Sequence, residues 1–273
     1  MQPILTQKME FGMNVLEVHN LKTYFHTQAG TVKAVDGVSF GIEKGGVFGL
    51  VGESGSGKTL TALSILKLIS PPGRIAGGSV LFNGADLLKM DEPSIRGVRG
   101  AKISIVFQEP SAALNPVFTA GYQVTEAILA HRDIDKSKAK RIALEYLERV
   151  HIHEPEKAFY DYPHQLSGGT KQRVAIAMAL VNSPEVVILD EPTTALDVTI
   201  QAQILDLLDE IIEKERLSIL FISHDFGIIA RMCGRVAVMR CGRIVEAGTK
   251  DEILNDPKHP YTISLLESVK ALA

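Results

Sequence analysis

The sequence contains no tryptophan, and only 6% of its residues are aromatic. That argues against a surface for stacking nucleic-acid bases, which is built from aromatic side chains. It has two cysteines, Cys233 and Cys241. Two are too few for a disulfide framework, and without a clustered histidine or carboxylate they are too few for a thiolate metal site. They read as reduced thiols. Neither sign of charge dominates: 29 Lys+Arg stand against 32 Asp+Glu, a net charge of −3. No general electrostatic pull toward nucleic acid or anionic lipid follows. Long hydrophobic runs are also missing. The longest apolar stretches, such as residues 175–181 and 219–222, fall far short of the ~20 residues that a membrane-crossing helix requires. Residues 1–14 read as a loose leader with no apolar stretch behind basic residues, so no signal peptide is expected. The expectation is a chain soluble by itself, with any membrane crossing left to other subunits. Internal repeats and low-complexity segments are absent too.

What is present is ordinary for a folded chain. The 273 residues are 45% hydrophobic and 22% charged, which fits one large globular domain or two small ones. Strands are predicted over residues 15–18, 34–42, 47–51, 79–82 and 103–107. A helix is predicted over 58–68, ended by Ser70-Pro71-Pro72-Gly73. From about residue 109 to 183 the character turns helical. Ala139, Ile142, Ala143, Tyr146, Leu147 and Val150 recur on one helical face, with Asp135 as the N-cap. Strands return at 186–189 and 218–222 as continuous apolar runs, the mark of a parallel sheet covered on both faces. The helix between them carries Ile204, Leu207, Leu208, Ile211 and Ile212 at helical spacing. Strand, helix, strand in that order predicts an α/β fold. A closing hairpin is predicted from 236–240 and 244–245 around a Cys241-Gly242 turn.

Three segments carry chemistry. Gly52-Glu53-Ser54-Gly55-Ser56-Gly57-Lys58-Thr59, followed by Leu60, fits the phosphate-loop pattern between a strand and a helix. Its glycines let backbone N–H groups surround phosphate oxygens at a helix N-terminus. Lys58 can reach the β- and γ-phosphates, and the Thr59 hydroxyl suits Mg²⁺. The apolar run 187–189 ends in Asp190-Glu191, placing two carboxylates at the carboxyl edge of the sheet, where ligands bind. Asp190 is a candidate for Mg²⁺, and Glu191 a candidate general base for an attacking water. Leu166-Ser167-Gly168-Gly169-Thr170-Lys171-Gln172 reads as a second capped helix start able to hold an anion. A chain with one nucleotide site does not obviously need two, unless the second serves a neighbouring copy.

With these segments in this order, the chain resembles the ATP-binding subunit of an ABC transporter, over about residues 16–268. The resemblance implies one ABC ATPase domain over 1–273. It has a P-loop NTPase (RecA-like) core with an N-terminal antiparallel β subdomain (15–108 and 184–250), an inserted α-helical subdomain (109–183) and a short C-terminal extension (251–273). It implies roles for further residues. Phe25, or neighbouring Tyr24, matches the aromatic that stacks on adenine, and Gln108 matches a glutamine that senses Mg²⁺ and the membrane subunits. Ala195-Leu196-Asp197 matches the D-loop, and His224 matches the switch histidine at the γ-phosphate. Ser167, Gly168, Gly169 and Gln172 would face ATP held by a partner subunit, and Mg²⁺ would lie among Thr59, Gln108 and Asp190.

A narrower resemblance is to the dipeptide, oligopeptide and nickel importers. It rests on Gln108-Glu109-Pro110-Ser111-Ala112-Ala113-Leu114-Asn115-Pro116, on the stretches around 162–169 and 190–203, and on Lys258-His259-Pro260-Tyr261-Thr262. The cysteine-rich tail of many members, which can hold an iron–sulfur cluster, is not matched, so no cluster is expected. The implied partners are a second, paralogous ATPase subunit, two transmembrane permease subunits and an extracytoplasmic binding protein, with no nucleic acid. The implied place is the cytoplasmic face of the inner membrane, peripherally. Cargo is a peptide, with nickel or a metal chelate as the alternative. His151 and His153, two apart at a helix end, read as a structural turn, and His131 and His259 as surface. A soluble ABC ATPase outside transport is a lesser alternative. Intact Glu191 and His224 weigh against a non-hydrolysing module, and a kinase would leave the Leu166–Gln172 stretch unexplained.

Overall fold

The structure is a computed structural model that describes residues 14–28, 30–194 and 196–270. The leader expected over 1–14 lies outside these residues apart from Asn14, as do Ala195 of the expected D-loop and residues 271–273.

Two sheets form the frame. Strands β1 (Asn14–Thr27) and β2 (Gly30–Glu43) pair antiparallel. Then come β3 (Val47–Val51), helix α1 (Lys58–Ile65), β4 (Gly73–Phe82) and the short β5 (Ala85–Asp86). The first sheet has the order β2-β1-β4-β5 and is antiparallel throughout. β1 runs well past the predicted 15–18. Its pairing with β2 slips between Val18 and Leu21 and again before Tyr24, and such bulges break the period-2 pattern that marks a strand. Helix α1 ends at Ile65, short of the predicted 68. Lys67 turns left-handed (φ 53°) and the Leu68 amide donates back to the Leu63 carbonyl, closing the helix as a Schellman-type end does.

Helix α2 (Glu92–Arg96) and strand β6 (Ile103–Val106) lead into a stretch of helices alone: α3 (Pro110–Ala113), α4 (Ala120–Leu129), α5 (Lys136–Arg149), α6 (Pro155–Tyr160) and α7 (Gly168–Leu180). Asp135 caps α5 as expected, its carboxylate accepting from the Lys138 amide at 2.9 Å. After α7 come β7 (Val186–Asp190), α8 (Val198–Glu215), β8 (Ser218–Ser223), α9 (Phe226–Met232) and the antiparallel hairpin β9 (Arg235–Arg240) and β10 (Arg243–Thr249). Helices α10 (Lys250–Asn255) and α11 (Pro260–Lys270) follow. The second sheet has the order β10-β9-β3-β8-β7-β6, and all its pairs but the β9–β10 hairpin are parallel.

That parallel sheet separates two apolar cores. Alternate side chains of one strand enter opposite cores: Val187 and Leu189 of β7 face helices α4, α5, α7 and α8, while Val186 and Ile188 face α1 and the first sheet. This is why the strands read as unbroken apolar runs. Burying a residue such as Ile188 or Leu220 contributes about 2 kcal/mol each, since both are fully buried. Both cysteines are free. Cys233 lies packed under Gly49, and burial pushes its thiol up to about 12. His151 sits in the left-handed turn after α5 (φ 56°), with Nε2 3.3 Å from Glu210 of α8. Arg149, beside it, pairs with Glu215 of the same helix, so the end of α5 is fastened to α8.

Candidate functional site

Parallel pairing aligns the carboxyl ends of β3, β6, β7 and β8, and each end delivers one part of a single cavity of about 800 Å³. β3 runs into the 52–59 loop, β6 is followed by Gln108, β7 ends in Asp190 and Glu191, and β8 is followed by His224. The cavity is lined by Gly52, Glu53, Ser54, Gly55, Gly57, Lys58, Thr59 and Leu60, and beyond the loop by Gln108, Glu191, Thr194 and His224. Its size is that of a small-molecule pocket.

The loop's shape follows from its glycines. A Cβ on Gly52 would stand 2.2 Å from the Met239 carbonyl oxygen, and one on Gly57 would stand 2.3 Å from that of Ala34. Gly57 is the N-cap of α1 and supplies no side-chain cap, so the first amides of the helix stay available to an anion. Ser56 is buried, and its hydroxyl has no partner. Lys58 is only 4% exposed, and its ammonium donates to the carbonyls of Gly52 at 2.7 Å and Glu53 at 3.0 Å. Burial lowers its pKa, and the charges of Glu191 and Asp190 oppose that shift.

The two carboxylates differ. Asp190 is 1% exposed and accepts a hydrogen bond from the Thr59 hydroxyl at 3.1 Å. Burial raises its pKa, against the pull of that hydrogen bond. Glu191 has a left-handed backbone (φ 49°), anchored where its amide donates to the Ile222 carbonyl at 2.9 Å. Its Oε2 accepts from Gln108 Nε2 at 3.2 Å and from the Thr194 hydroxyl at 2.9 Å, and it lies 3.0 Å from His224 Nδ1. Its Oε1 lies 3.9 Å from Lys58 Nζ. Three residues that the sequence singled out separately therefore meet on one carboxylate. The Thr59–Asp190 pair offers the hard oxygen donors that Mg²⁺ prefers. The uncapped α1 terminus, the buried lysine and the orphaned Ser56 hydroxyl offer the donors that phosphates need.

Other predicted residues lie elsewhere. Ser167 caps α7, its Oγ accepting from the Thr170 amide at 3.2 Å. Gly168 and Gly169 pack against Leu196 and Ile200, where a Cβ on Gly169 would come 2.7 Å from Ile200 Cγ2. Asp197 caps α8 by accepting from the Ile200 amide at 2.9 Å. Gln172 is buried, and neither atom of its amide has a partner. None of these lines the cavity. Phe25 is not brought to the cavity either, because its ring lies across Gly73, where a Cβ would meet it at 2.5 Å. Tyr24 instead donates its hydroxyl to Asp36 at 2.6 Å. His259, expected as mere surface, is the acceptor at the start of α11, its Nδ1 taking the Tyr261 amide at 3.1 Å.

Sequence reasoning missed seven lining residues: Val32, Lys33 and Ala34 of β2, Thr194 after β7, Cys241 and Gly242 of the β9–β10 turn, and Leu265 of α11. Only the Cys241-Gly242 turn left a local signal. Its link to the loop is long-range, the Gly242 amide donating to the Ser56 carbonyl at 2.9 Å.

The comparisons with known proteins agree with this geometry. Residues 35–194 match the family model described as ABC transporter, and residues 245–273 match one described as oligopeptide/dipeptide transporter, C-terminal region. The chain is 50% identical over 259 residues to the oligopeptide transport ATP-binding protein OppD of Bacillus subtilis (strain 168), covering 94% of this chain and 72% of that protein. It is 43% identical over 261 residues to the dipeptide transport ATP-binding protein DppD of Escherichia coli (strain K12), covering 96% of this chain and 80% of that one. A solved dimeric ATP-binding cassette in a post-hydrolysis state, bound to ADP and Pi, superposes with a TM-score of 0.77 at 27% identity, over 86% of this chain and 98% of that chain. Among the described residues no helix is long and apolar enough to cross a membrane. The fold, the cavity and a family match over more than half of its length agree: the chain belongs to the ABC transporter family, as an ATP-binding domain that carries the C-terminal region of the oligopeptide/dipeptide transporters.

Proposed function

We propose that this chain binds and hydrolyses ATP in the cavity at the carboxyl edge of the six-stranded sheet, and that it powers an importer of oligopeptides or dipeptides. One observation carries the reading: Lys58, Gln108, Thr194 and His224 converge on Glu191, beside the Thr59–Asp190 pair. When bound, ATP supplies the transferable phosphoryl group and Mg²⁺ neutralises charge on its oxygens. The 52–59 loop and the α1 terminus hold the phosphates, and Lys58 places a full positive charge against them. Thr59, Asp190 and Gln108 are the candidate oxygen donors to the metal. Glu191 takes a proton from the attacking water as general base, and His224 is placed to reach the terminal phosphate. The work of these side chains is positioning and charge stabilisation.

Ser167, Gly168 and Gly169 stand outside the chain's own cavity, so we assign them, with Asp197, to the interface with a second, paralogous ATPase subunit whose nucleotide they contact; Gln172, expected among them, is buried inside the chain and is not assigned there. The helices between residues 109 and 183 would pass the closing motion to two membrane-spanning permease subunits, with an extracytoplasmic binding protein delivering the peptide. The chain would then sit on the cytoplasmic face of the membrane. The names printed for its relatives, oligopeptide and dipeptide transport proteins, support the cargo class.

The test is Glu191→Gln in the full chain, loaded with ATP and Mg²⁺ and extracted gently from its own host's membranes. Retained ATP binding is expected, with turnover lowered by on the order of 10²–10⁴-fold. Two membrane subunits, a second ATPase and a binding protein should come with it. Unchanged turnover would remove Glu191 as the base, and recovery with soluble partners alone would overturn the import reading.

A further inference from the structure

The C-terminal segment reaches the phosphate loop, and nothing in the ATP chemistry above uses that reach. The residues before α11 are held by one carboxylate of β10: the amides of Lys258 and His259 donate to Glu246 Oε1 at 2.6 Å and Oε2 at 3.1 Å. His259 Nδ1 then accepts from the Tyr261 amide at 3.1 Å. Tyr261 is thereby buried, its ring centroid 4.6 Å from the Arg240 guanidinium. Its hydroxyl oxygen accepts a hydrogen bond from the Glu53 N–H at 3.4 Å. One turn further on, Leu265 lines the nucleotide cavity.

One peptide unit gives that contact a meaning. The Gly52–Glu53 peptide carries the Gly52 carbonyl on one side and the Glu53 N–H on the other. The Lys58 ammonium donates to the carbonyl at 2.7 Å, and Tyr261 holds the N–H. The peptide is planar and stiff, so fixing its N–H fixes the direction of its carbonyl, and the carbonyl holds the ammonium. Hydrogen bonds linked in this way also polarise one another. We propose that Tyr261 is a positioning residue for Lys58: acting through the Gly52–Glu53 peptide, it sets where the ammonium waits for the phosphates, so the C-terminal segment tunes ATP affinity. The proposal rests on the ATP reading of the cavity.

Tyr261→Phe keeps the ring, its burial and its stacking on Arg240, and removes one oxygen. In the full chain the Kd for Mg-ATP should rise about twofold to tenfold, the range of one neutral hydrogen bond. The nucleotide-free Tm should stay within about 2 °C, since the ring's burial is kept. In the assembled complex KM for ATP should rise while kcat stays within about twofold, as for lost binding shared by ground and transition states. An unchanged Kd and KM overturns the proposal, and so does a fall in Tm with no change in Kd. Hydrogen exchange in the unaltered chain gives a check that needs no variant: slow exchange of the Glu53 amide supports the proposal, and the free-peptide rate overturns it. Lys58→Ala, run in parallel, separates the two readings. If it binds ATP as the parent does, the cavity reading fails; if it loses binding while Tyr261→Phe does not weaken it, only the role of Tyr261 fails.

Discussion

The chain starts two helices on glycine-rich turns, and the two starts differ in what surrounds them. At α1 the cap is Gly57, which gives the first amides nothing to bond to, and the buried Lys58 stands 3.9 Å from Glu191 Oε1. At α7 the cap is Ser167, whose hydroxyl already holds the Thr170 amide, and the glycines pack against Leu196 and Ile200. The first start lies inside a cavity that Glu191 also lines, with the Thr59–Asp190 pair beside it; the second lines no part of it. A helix terminus offers the same partial charge in both places. Neighbouring groups decide which one is a complete site, and that asymmetry is what the proposed two-subunit nucleotide sandwich requires.

The largest effect should come from the complete start. Lys58→Ala is expected to weaken ATP binding by the isolated chain roughly hundredfold, from the loss of charge-assisted hydrogen bonds to phosphate. Titration with a fluorescent ATP analogue measures it, and an unchanged Kd would leave no distinction between the two starts. Ser167→Ala sharpens the contrast from the other side. It should leave the isolated chain's ATP affinity within about twofold of the parent, as for a site remote from the nucleotide. Loss of the cap should destabilise α7 by about 1 kcal/mol, and ATPase activity of the assembled complex should fall. A matching loss of affinity in the isolated chain would place Ser167 on its own nucleotide.

The smallest effect concerns Asp190. Burial raises its carboxyl above the ordinary value of 3.8. Between those two values the folded chain holds a proton that the unfolded chain has released, so stability falls as pH rises through that window. Above it, the buried charge is a standing cost when no metal is bound. Asp190→Asn should therefore raise the nucleotide-free Tm at pH 7, with the gain vanishing below the ordinary carboxyl range. Calorimetry at two pH values checks the sign, and Mg²⁺-dependent turnover should be lost in the same variant.

Legibility in the sequence followed distance along the chain. The phosphate loop and Asp190-Glu191 were readable because each stands at the end of an apolar strand, and a parallel sheet must bring those ends together; Gln108 and His224 were placed by the resemblance, and both follow strands of that sheet. The Ser167 and Asp135 caps were readable because a cap bonds only three residues ahead. The first sheet was harder. The bulges in β1 hid Leu21 and Thr23, both fully buried, behind a broken alternation. Pro71 and Pro72 concealed that β4 starts at Gly73. Phe25 was placed by resemblance alone, and its position over Gly73 depends on a pairing with β4 that no local pattern records. Val32, Lys33, Ala34 and Leu265 belong to the cavity only through contacts with distant elements, so their own neighbours in sequence give no hint of them.

The close approach of Gly52 and Gly57 to the Met239 and Ala34 carbonyls bears on what mutation can do to this chain. Gly55 is different: it has open space where a Cβ would go, and only its backbone twist (φ +77°) resists a side chain. Two of the three glycines in the motif are thus held by the architecture rather than by the nucleotide. A lineage that no longer called on the ATPase could drift at Lys58 or Glu191 and keep a folded protein, while Gly52 and Gly57 would stay closed to replacement. The glycines of a phosphate loop can therefore outlive its chemistry, and their presence in a sequence records a fold that still closes before it records an enzyme that still works.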